Sequence, residues 1–348
     1  MVATAAQQVS ALQNRYRDEI QAAIRRAMVD SDSGFFSLLR YHLGWEEANG
    51  KPAAVPTGKG LRPILCLTAC EVAGGKWQDA LPAAAALELV HNFSLIHDDI
   101  QDCDSRRWDR PTLWTVHGQA KAIAAGNAMR VIADQTLMHL SKSGMSRALV
   151  SDVAIELTGR YLEMIEGQYL DMAFEEADNV TVEQYLDMVG RKTGALIESA
   201  MYMGALVATR DQSQAQGFGA CGRRLGLAFQ VRDDYLGIWG DPTATGKAVG
   251  ADIRRKKKSM PVVHLFEHAS AKDRAWLDSA YETEGDVSGE DVERILEMLN
   301  RLGTPTYVQD AALAHAEGAM EAADGLGLGS SARETVQAMA EFFVTREK

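Results

Sequence analysis

Apolar residues recur three or four places apart along almost the whole of this chain, a period that an α-helix satisfies and a strand does not. In "QVSALQNRYRDEIQAAIRRAM", Val9, Leu12, Tyr16, Ile20, Ile24 and Met28 fall near one face. Long helices are expected at about 60–74, 79–103, 119–143, 147–175, 182–209 and 216–239, with shorter ones in the remainder. No segment shows a convincing strand alternation. Much of the 46% apolar content is alanine, leucine and methionine, which favour helix over strand.

Loops are marked by their composition: "EEANGKPAAVPTGKG" after the N-terminal helices, "GDPTATGKAVG" after the last long helix, and "ETEGDVSGED" in the C-terminal third. None is a linker long enough to separate independent domains. The expectation is a single all-α domain over residues 1–348, with long helices packed around a common centre.

The net charge of −12 argues against a nucleic-acid partner. Cys66, Cys70, Cys103 and Cys221 are too few and too scattered for a disulfide framework, and read as small core residues in a reducing compartment. With no signal-peptide pattern and no membrane-spanning stretch, a cytoplasmic protein is expected.

Within this ordinary background, "LIHDDIQDCDSRR" places Asp98, Asp99, Asp102 and Asp104 within seven residues. Four carboxylates so close repel one another unless a cation sits among them. His91, Leu95, Asp98 and Asp102 lie on one helical stripe, so Asp98 and Asp102 project about one turn apart. A second cluster, "FQVRDDYLGIWGD", brings Asp233 and Asp234 to the end of an apolar helix, with Asp241 in the turn beyond. Taken singly, either cluster could be a solvated helix cap. Two of them, each opening with Asp-Asp after an apolar run, describe a greasy pocket with a rim for Mg2+, which binds through a few carboxylates, waters and substrate phosphates.

Cationic groups suited to phosphate stand nearby: Lys59 and Arg62 in "TGKGLRP", Arg106, Arg107 and Arg110 after the first cluster, and Lys192 with Thr193 in "RKTG". Lys247 and the run Arg254–Lys258 follow the second cluster. Surface ion pairing is the competing explanation for each of them alone.

In order from about residue 57 to 261, "GKGLRP", "ELVHNFSLIHDDIQD", "RPTLW", "EGQYLD", "RKTGAL", "FQVRDDYLGIWGD" and "ADIRRKKKSMP" resemble blocks of the trans-isoprenyl diphosphate synthases (polyprenyl synthetases). The resemblance implies an isoprenoid-synthase-type bundle of long helices around a central apolar cavity. It implies a prenyltransferase that ionises an allylic diphosphate, with three Mg2+ on the leaving group, and adds isopentenyl diphosphate to the allylic cation. A homodimer is also implied.

Residue by residue, the resemblance makes Asp98, Asp102 and Asp233 the main metal ligands, and Asp99 and Asp234 second ligands or orienting groups. Lys59, Arg62 and His91 match the isopentenyl diphosphate pocket, with Arg106 and Arg107 as the neighbouring arginines. Lys192, Gln230 and Lys257 match groups that hold the allylic diphosphate or steady its metals, with Thr193 and Lys247 beside them; Gln168 and Asp171 match a supporting element. The "TREK" ending resembles basic tails that close over the site in some members. Phe93, five residues before Asp98, matches the floor of the chain pocket, although a helical wheel puts Ser94 nearer the Asp98 stripe. A Phe93 floor implies a short product, C15 to C25 with C20 first.

Three positions depart from the pattern. Gly60 stands where a second cation is usual. Gly237 stands where a third Asp is expected, and Asp241 is the candidate to replace it. In the ungapped alignment Arg107 and Trp108 take the places of an arginine pair; a one-residue shift would make Arg106 and Arg107 the pair instead. These departures keep a second reading open, a class I terpene cyclase or other allylic diphosphate-ionising enzyme. A third, a non-catalytic partner subunit, is disfavoured because both acidic clusters are present.

Overall fold

The computed structural model describes residues 4–28, 33–55, 58–246 and 248–347. The chain is all-α: the described residues hold seventeen α-helices, one 3₁₀ and one π-helical segment, and one minimal hairpin. No helix among them is long and apolar enough to cross a membrane.

The chain forms two compact units. One comprises Ser10–Tyr161 and Ser199–Gly219. Into it fold α1 (Ala5–Ala27, which begins in the other unit), α2 (Gly34–His42), α3 (Leu61–Val72), α4 (Trp77–Gln101), α5 (Leu113–His117) and α6 (Gln119–Leu137). Between α4 and α5 lie strands β1 (Arg106–Arg107) and β2 (Arg110–Pro111), paired antiparallel with Arg107 opposite Arg110. The expected helix at 119–143 is present, but its last six residues, Met138–Ser143, tighten into a 3₁₀ turn. The scaffold of this unit is α4. Its middle, Ala83–Val90, is buried on every side, as a stretch of helix without a polar face must be.

The second unit comprises Met1–Val9, Leu162–Glu198 and Ala220–Lys348. The long α7 (Arg147–Glu176) enters it from the first unit, and α8 (Val182–Val189) follows. The expected helix at 182–209 is one continuous rod with a defect: α8 passes through a π-helical turn, Gly190–Gly194, into α9 (Ala195–Thr209). A π turn holds one residue more than an α turn, and such bulges mark functional sites often enough to be noted.

Helix α10 (Gln212–Trp239) is followed by α11 (Pro242–Thr245) and α12 (Ala251–Arg254) in the segment expected to be loop. The chain then continues through α13 (Met260–His268), α14 (Ala271–Glu282), α15 (Gly289–Arg301), α16 (Thr304–Asp324) and α17 (Ser330–Thr345). Two apolar clusters hold this unit: Tyr185, Met188, Val231, Met260 and Val263 in one, and Ile238, Ile253, Leu265, Leu277 and Ile295 in the other. Cys66, Cys70 and Cys221 are free thiols buried in the two units, as expected of small core residues, whereas Cys103, just past the end of α4, is exposed and is not one.

Candidate active site

In the first unit the acidic cluster ends α4. Asp98 and Asp99 lie in its last turn, and Asp102 is the C-cap, donating its N–H to Asp98 O at 2.8 Å. A helix C-terminus already carries partial negative charge, so three carboxylates there are unfavourable without a cation. The protein supplies one to the buried member. Asp99, 2% exposed, is 2.7 Å from Arg107 Nε. Burial pushes the Asp99 carboxyl up to about 6, against the pull of Arg107. Asp98 is half-buried and Asp102 exposed.

The hairpin decides which arginine reaches α4. Neighbouring strand residues point to opposite faces, so Arg107 turns to Asp99, while Arg106 donates to Asp109 O and closes the turn. The turn itself is Trp108 (φ 49°) and Asp109 (φ 60°), both in the left-handed region where glycine or asparagine is usual. The Trp108 ring lies against Gly58, where a β-carbon would meet its Cζ2 at 3.3 Å, and near the buried ring of His42, centroid to centroid 6.1 Å. Position 108, which takes a cation's place in the ungapped alignment, is thus packed as a ring.

Two turns back from Asp98, Arg62 Nη1 lies 3.1 Å from His91 Nε2. Burial and the Arg62 charge hold His91 well below its usual pKa, so the ring is neutral. A guanidinium only donates, so Nε2 accepts and the ring proton sits on Nδ1. Behind them the buried Glu88 accepts from Asn92 Nδ2 at 3.3 Å; burial raises its pKa while Arg62 opposes the rise. Lys59 lines a cleft of about 490 Å3 with Arg25, Trp45 and Glu88. Gly60, the N-cap of α3, has φ 57°, a conformation costly for the cation expected there. Phe93 is 7% exposed and packs edge-on to His97 at 5.1 Å; Ser94 is buried and donates to His91 O at 2.8 Å.

In the second unit the aspartates do not end a helix, since α10 continues to Trp239. Asp234 is fully buried, accepting from the Tyr185 hydroxyl, from Met260 N at 3.1 Å and from Gln230 Nε2 at 3.1 Å. Burial pushes it up to about 6, with Lys257 pulling the other way. Gln230 in turn accepts from Thr193 Oγ1 at 3.0 Å, so Thr193, Gln230 and Asp234 form one chain of hydrogen bonds.

Lys192 and Thr193 sit on the π turn, and Lys192 is ion-paired with Asp171. Gly167 on α7 permits this approach: a β-carbon there would stand 2.6 Å from Lys192 Cα. Arg223 clamps the same turn, donating to Gly190 O and pairing with Glu163 at 2.5 Å and Glu198 at 2.6 Å. Gln168, next to Gly167, is buried. Burial opposes charge on Lys257, yet Asp234, Asp252, Asp233 and Asp171 together hold it above the usual lysine range.

Two residues that sequence reasoning left unassigned or weakly marked reach this cluster. Tyr185 holds Asp234, and Arg346 of the "TREK" ending holds Asp233. The Arg346 guanidinium donates to Asp233 Oδ1 at 2.8 Å and lies 3.9 Å over the Phe229 ring; its own carbonyl accepts from Arg232 Nε and Nη2 at 3.0 and 2.9 Å. Asp241 is exposed and caps α11, accepting from Thr243 N at 2.7 Å. Lys247 lies outside the described residues.

The donor set around Asp233 is all oxygen and holds a cation, the Arg346 guanidinium, at a carboxylate whose side chain is half open to solvent. That chemistry suits a hard divalent ion. Among the described residues no three His, Cys, Asp or Glu side chains close into a metal cage. A Mg2+ that takes one or two carboxylates, waters and substrate phosphate oxygens requires none.

The sequence model of the polyprenyl synthetase family matches residues 48–299. The (2E,6E)-farnesyl diphosphate synthase of Mycobacterium bovis is 36% identical over 92% of this chain and 89% of its own length. The geranylgeranyl diphosphate synthase of Mycobacterium tuberculosis is 38% identical over 84% of this chain and 82% of its own. Among solved structures, a polyprenyl synthetase from Streptomyces coelicolor A3(2) superposes with a TM-score of 0.89 at 36% identity, covering 96% of this chain and 99% of that one.

Proposed function

Because the chain belongs to the polyprenyl synthetase family, we propose that it is a Mg2+-dependent prenyltransferase that joins isopentenyl diphosphate to an allylic diphosphate. The product is a short all-trans prenyl diphosphate, C15 to C25 with C20 favoured. In the reaction the allylic C–O bond breaks with its electron pair leaving on diphosphate, the isopentenyl double bond forms the new C–C bond, and a proton is lost.

The observation that carries this reading is the division of labour within each aspartate pair. Asp99 and Asp234 are buried and bonded to the protein, Asp99 to Arg107 and Asp234 to Tyr185, Gln230 and Met260. They orient the backbone from which Asp98, Asp102 and Asp233 reach solvent and would ligate metal. Bound Mg2+, three ions with diphosphate present, supplies positive charge where the leaving group becomes negative.

The chain's own residues do the rest. Lys192, Thr193, Gln230 and Lys257 hold the allylic diphosphate, with Gln168 and Asp171 bracing Lys192 and its turn. Lys247 lies close enough in sequence to assist. Lys59, Arg62 and Arg107 bind the isopentenyl diphosphate, and neutral His91 offers no charge to compete with Arg62. Phe93 closes the chain pocket. The known activities of the relatives give the cyclase alternative no support.

The reading takes residues 1–348 as a single domain; in its support, α1, α7, α9 and α10 each have residues in both compact units. A homodimer is supported by an exposed apolar stripe on α6 and its 3₁₀ extension: Ile123, Val131 and Met138, 45%, 56% and 46% exposed, recur at helical spacing. Free cysteines fit a cytoplasmic setting.

The test is product analysis with purified protein, Mg2+ and labelled isopentenyl diphosphate, offered C5, C10, C15 and C20 allylic diphosphates separately. Label in a longer diphosphate establishes elongation. Mg2+-dependent diphosphate release without incorporation would mean cyclase-type chemistry. Phe93→Ala is expected to lengthen the major product by at least one C5 unit; an unchanged product would remove Phe93 as the floor.

A further inference from the structure

Of the two departures in the first unit, position 108 is filled by a ring, whereas position 60 is left open. A β-carbon at Gly60 would meet only the Pro63 ring, at 3.8 Å. Gly60 and Lys59 line the cleft of about 490 Å3, and α1 lines it too. Every described residue around this cleft belongs to the first unit.

Along α1, Arg17, Gln21 and Arg25 follow at four-residue spacing, one line down the side of the cleft. Among the described residues neither arginine has a carboxylate within ion-pair distance. Arg25 is nonetheless held in place. Its guanidinium carbon lies 4.1 Å over the centre of the Trp45 ring. That ring is itself fixed, 8% exposed and with its Nε1 donating to Gln21 Oε1 at 3.1 Å. Stacking engages the face of the guanidinium and leaves its N–H donors unused by the protein. The charges around the cleft favour an anion: Arg17, Arg25 and Lys59 stand against Asp18 and Glu88, and Glu88 is offset by the Arg62 charge.

We infer that Arg25 is a further isopentenyl diphosphate-binding residue, bringing from α1 the cation that Gly60 does not provide. This rests on the reading of Lys59 and Arg62 as that substrate's pocket. A guanidinium suits the task because it grips phosphate oxygens with two donors at once, whereas a lysine brings one point charge. Stacked beforehand on Trp45, it also has less freedom to lose when the anion arrives.

The experiment measures KM for isopentenyl diphosphate in the full chain at saturating Mg2+ and allylic diphosphate. Beside it, titration calorimetry reads the Kd of isopentenyl diphosphate on the metal-free protein. Arg25→Gln is expected to raise both constants about 10-fold, with kcat and the KM of the allylic diphosphate unchanged, the mark of lost uniform binding. Arg25→Lys keeps the charge without the fork and is expected to fall between. Arg26→Gln makes the same charge change on a neighbour outside the lining of the cleft, and is expected to match wild type. Wild-type constants in Arg25→Gln, a loss there confined to kcat, or an equal rise in Arg26→Gln would each overturn the proposal. The wild-type protein separates the two levels. If it neither binds isopentenyl diphosphate nor incorporates label, the reading of the pocket falls and Arg25 with it; normal turnover beside an indifferent Arg25→Gln removes only Arg25.

Discussion

On α4 the aspartates finish the helix, whereas on α10 they sit inside it with more than a turn still to come. The first cluster is therefore organised by the end of a backbone. Asp102 caps α4, the helix dipole adds to the negative charge, and one side-chain cation, Arg107, is pinned to the buried Asp99. The second cluster has no helix end to use and is organised by side chains from elsewhere: Tyr185 from α8, Met260 N from α13, and Arg346 beyond α17. The same Asp-Asp dipeptide is built into a site by local backbone in one case and by tertiary wiring in the other.

The comparison breaks first at activity. Asp98→Ala and Asp233→Ala are each expected to lower turnover about 10³-fold, the scale for a lost group that stabilises developing charge. Label incorporation at saturating Mg2+ measures this, and a variant with near-normal turnover would take its cluster out of the reacting site.

Stability sharpens the contrast. Arg107→Gln leaves Asp99 buried without its counter-charge and is expected to cost about 3 kcal/mol. Tyr185→Phe removes one of three donors to Asp234 and is expected to cost about 1 kcal/mol. Urea unfolding of both variants reads the difference; equal costs would mean that the second cluster is no better shared among its partners than the first.

A further contrast is a pH slope confined to the first unit. Burial, helped by Arg107, pushes the pKa of His42 down to about 3. The unfolded chain takes up that proton near pH 6.5, so the stabilisation is complete above 6.5 and is lost as pH falls below it. At pH 5 the loss is about 2 kcal/mol from this one ring. His42→Gln should flatten the stability profile between pH 7 and 5 relative to wild type, and parallel profiles would show that the ring protonates in the fold.

The long helices were legible because each repeats its apolar period over several turns, and 182–209 was found as one rod for that reason. The π turn within it was not, since one extra residue in a rod of that length barely disturbs the pattern. The hairpin was missed for a different reason: Trp108 and Asp109 lack the Gly or Asn that announces such a turn, and two-residue strands leave no alternation. Asp98, Asp99, Asp233 and Asp234 were legible as clusters. Which member of each pair is buried was not, because burial of Asp234 depends on Tyr185, 49 positions away. Arg346 and Asp233 are 113 apart, and only the basic ending hinted at their contact. Asp252 was seen as part of a block, but nothing in one dimension places it against Gly237, where a β-carbon would stand 2.6 Å from its Cγ.

The π turn carries one further consequence. Each residue advances a helix by about 100°, so the extra residue in 190–194 is a fixed phase offset between α8 and α9. Ahead of the offset, Tyr185 must face Asp234; beyond it, Gly204 must present its bare edge to α3, where a β-carbon would press on the Cys66 carbonyl carbon at 3.0 Å. Deleting a single residue from the turn would rotate one of these helices by about a quarter of a revolution against the other. No side-chain replacement can restore such a shift. In this stretch the chain is specified by its length as strictly as by its composition.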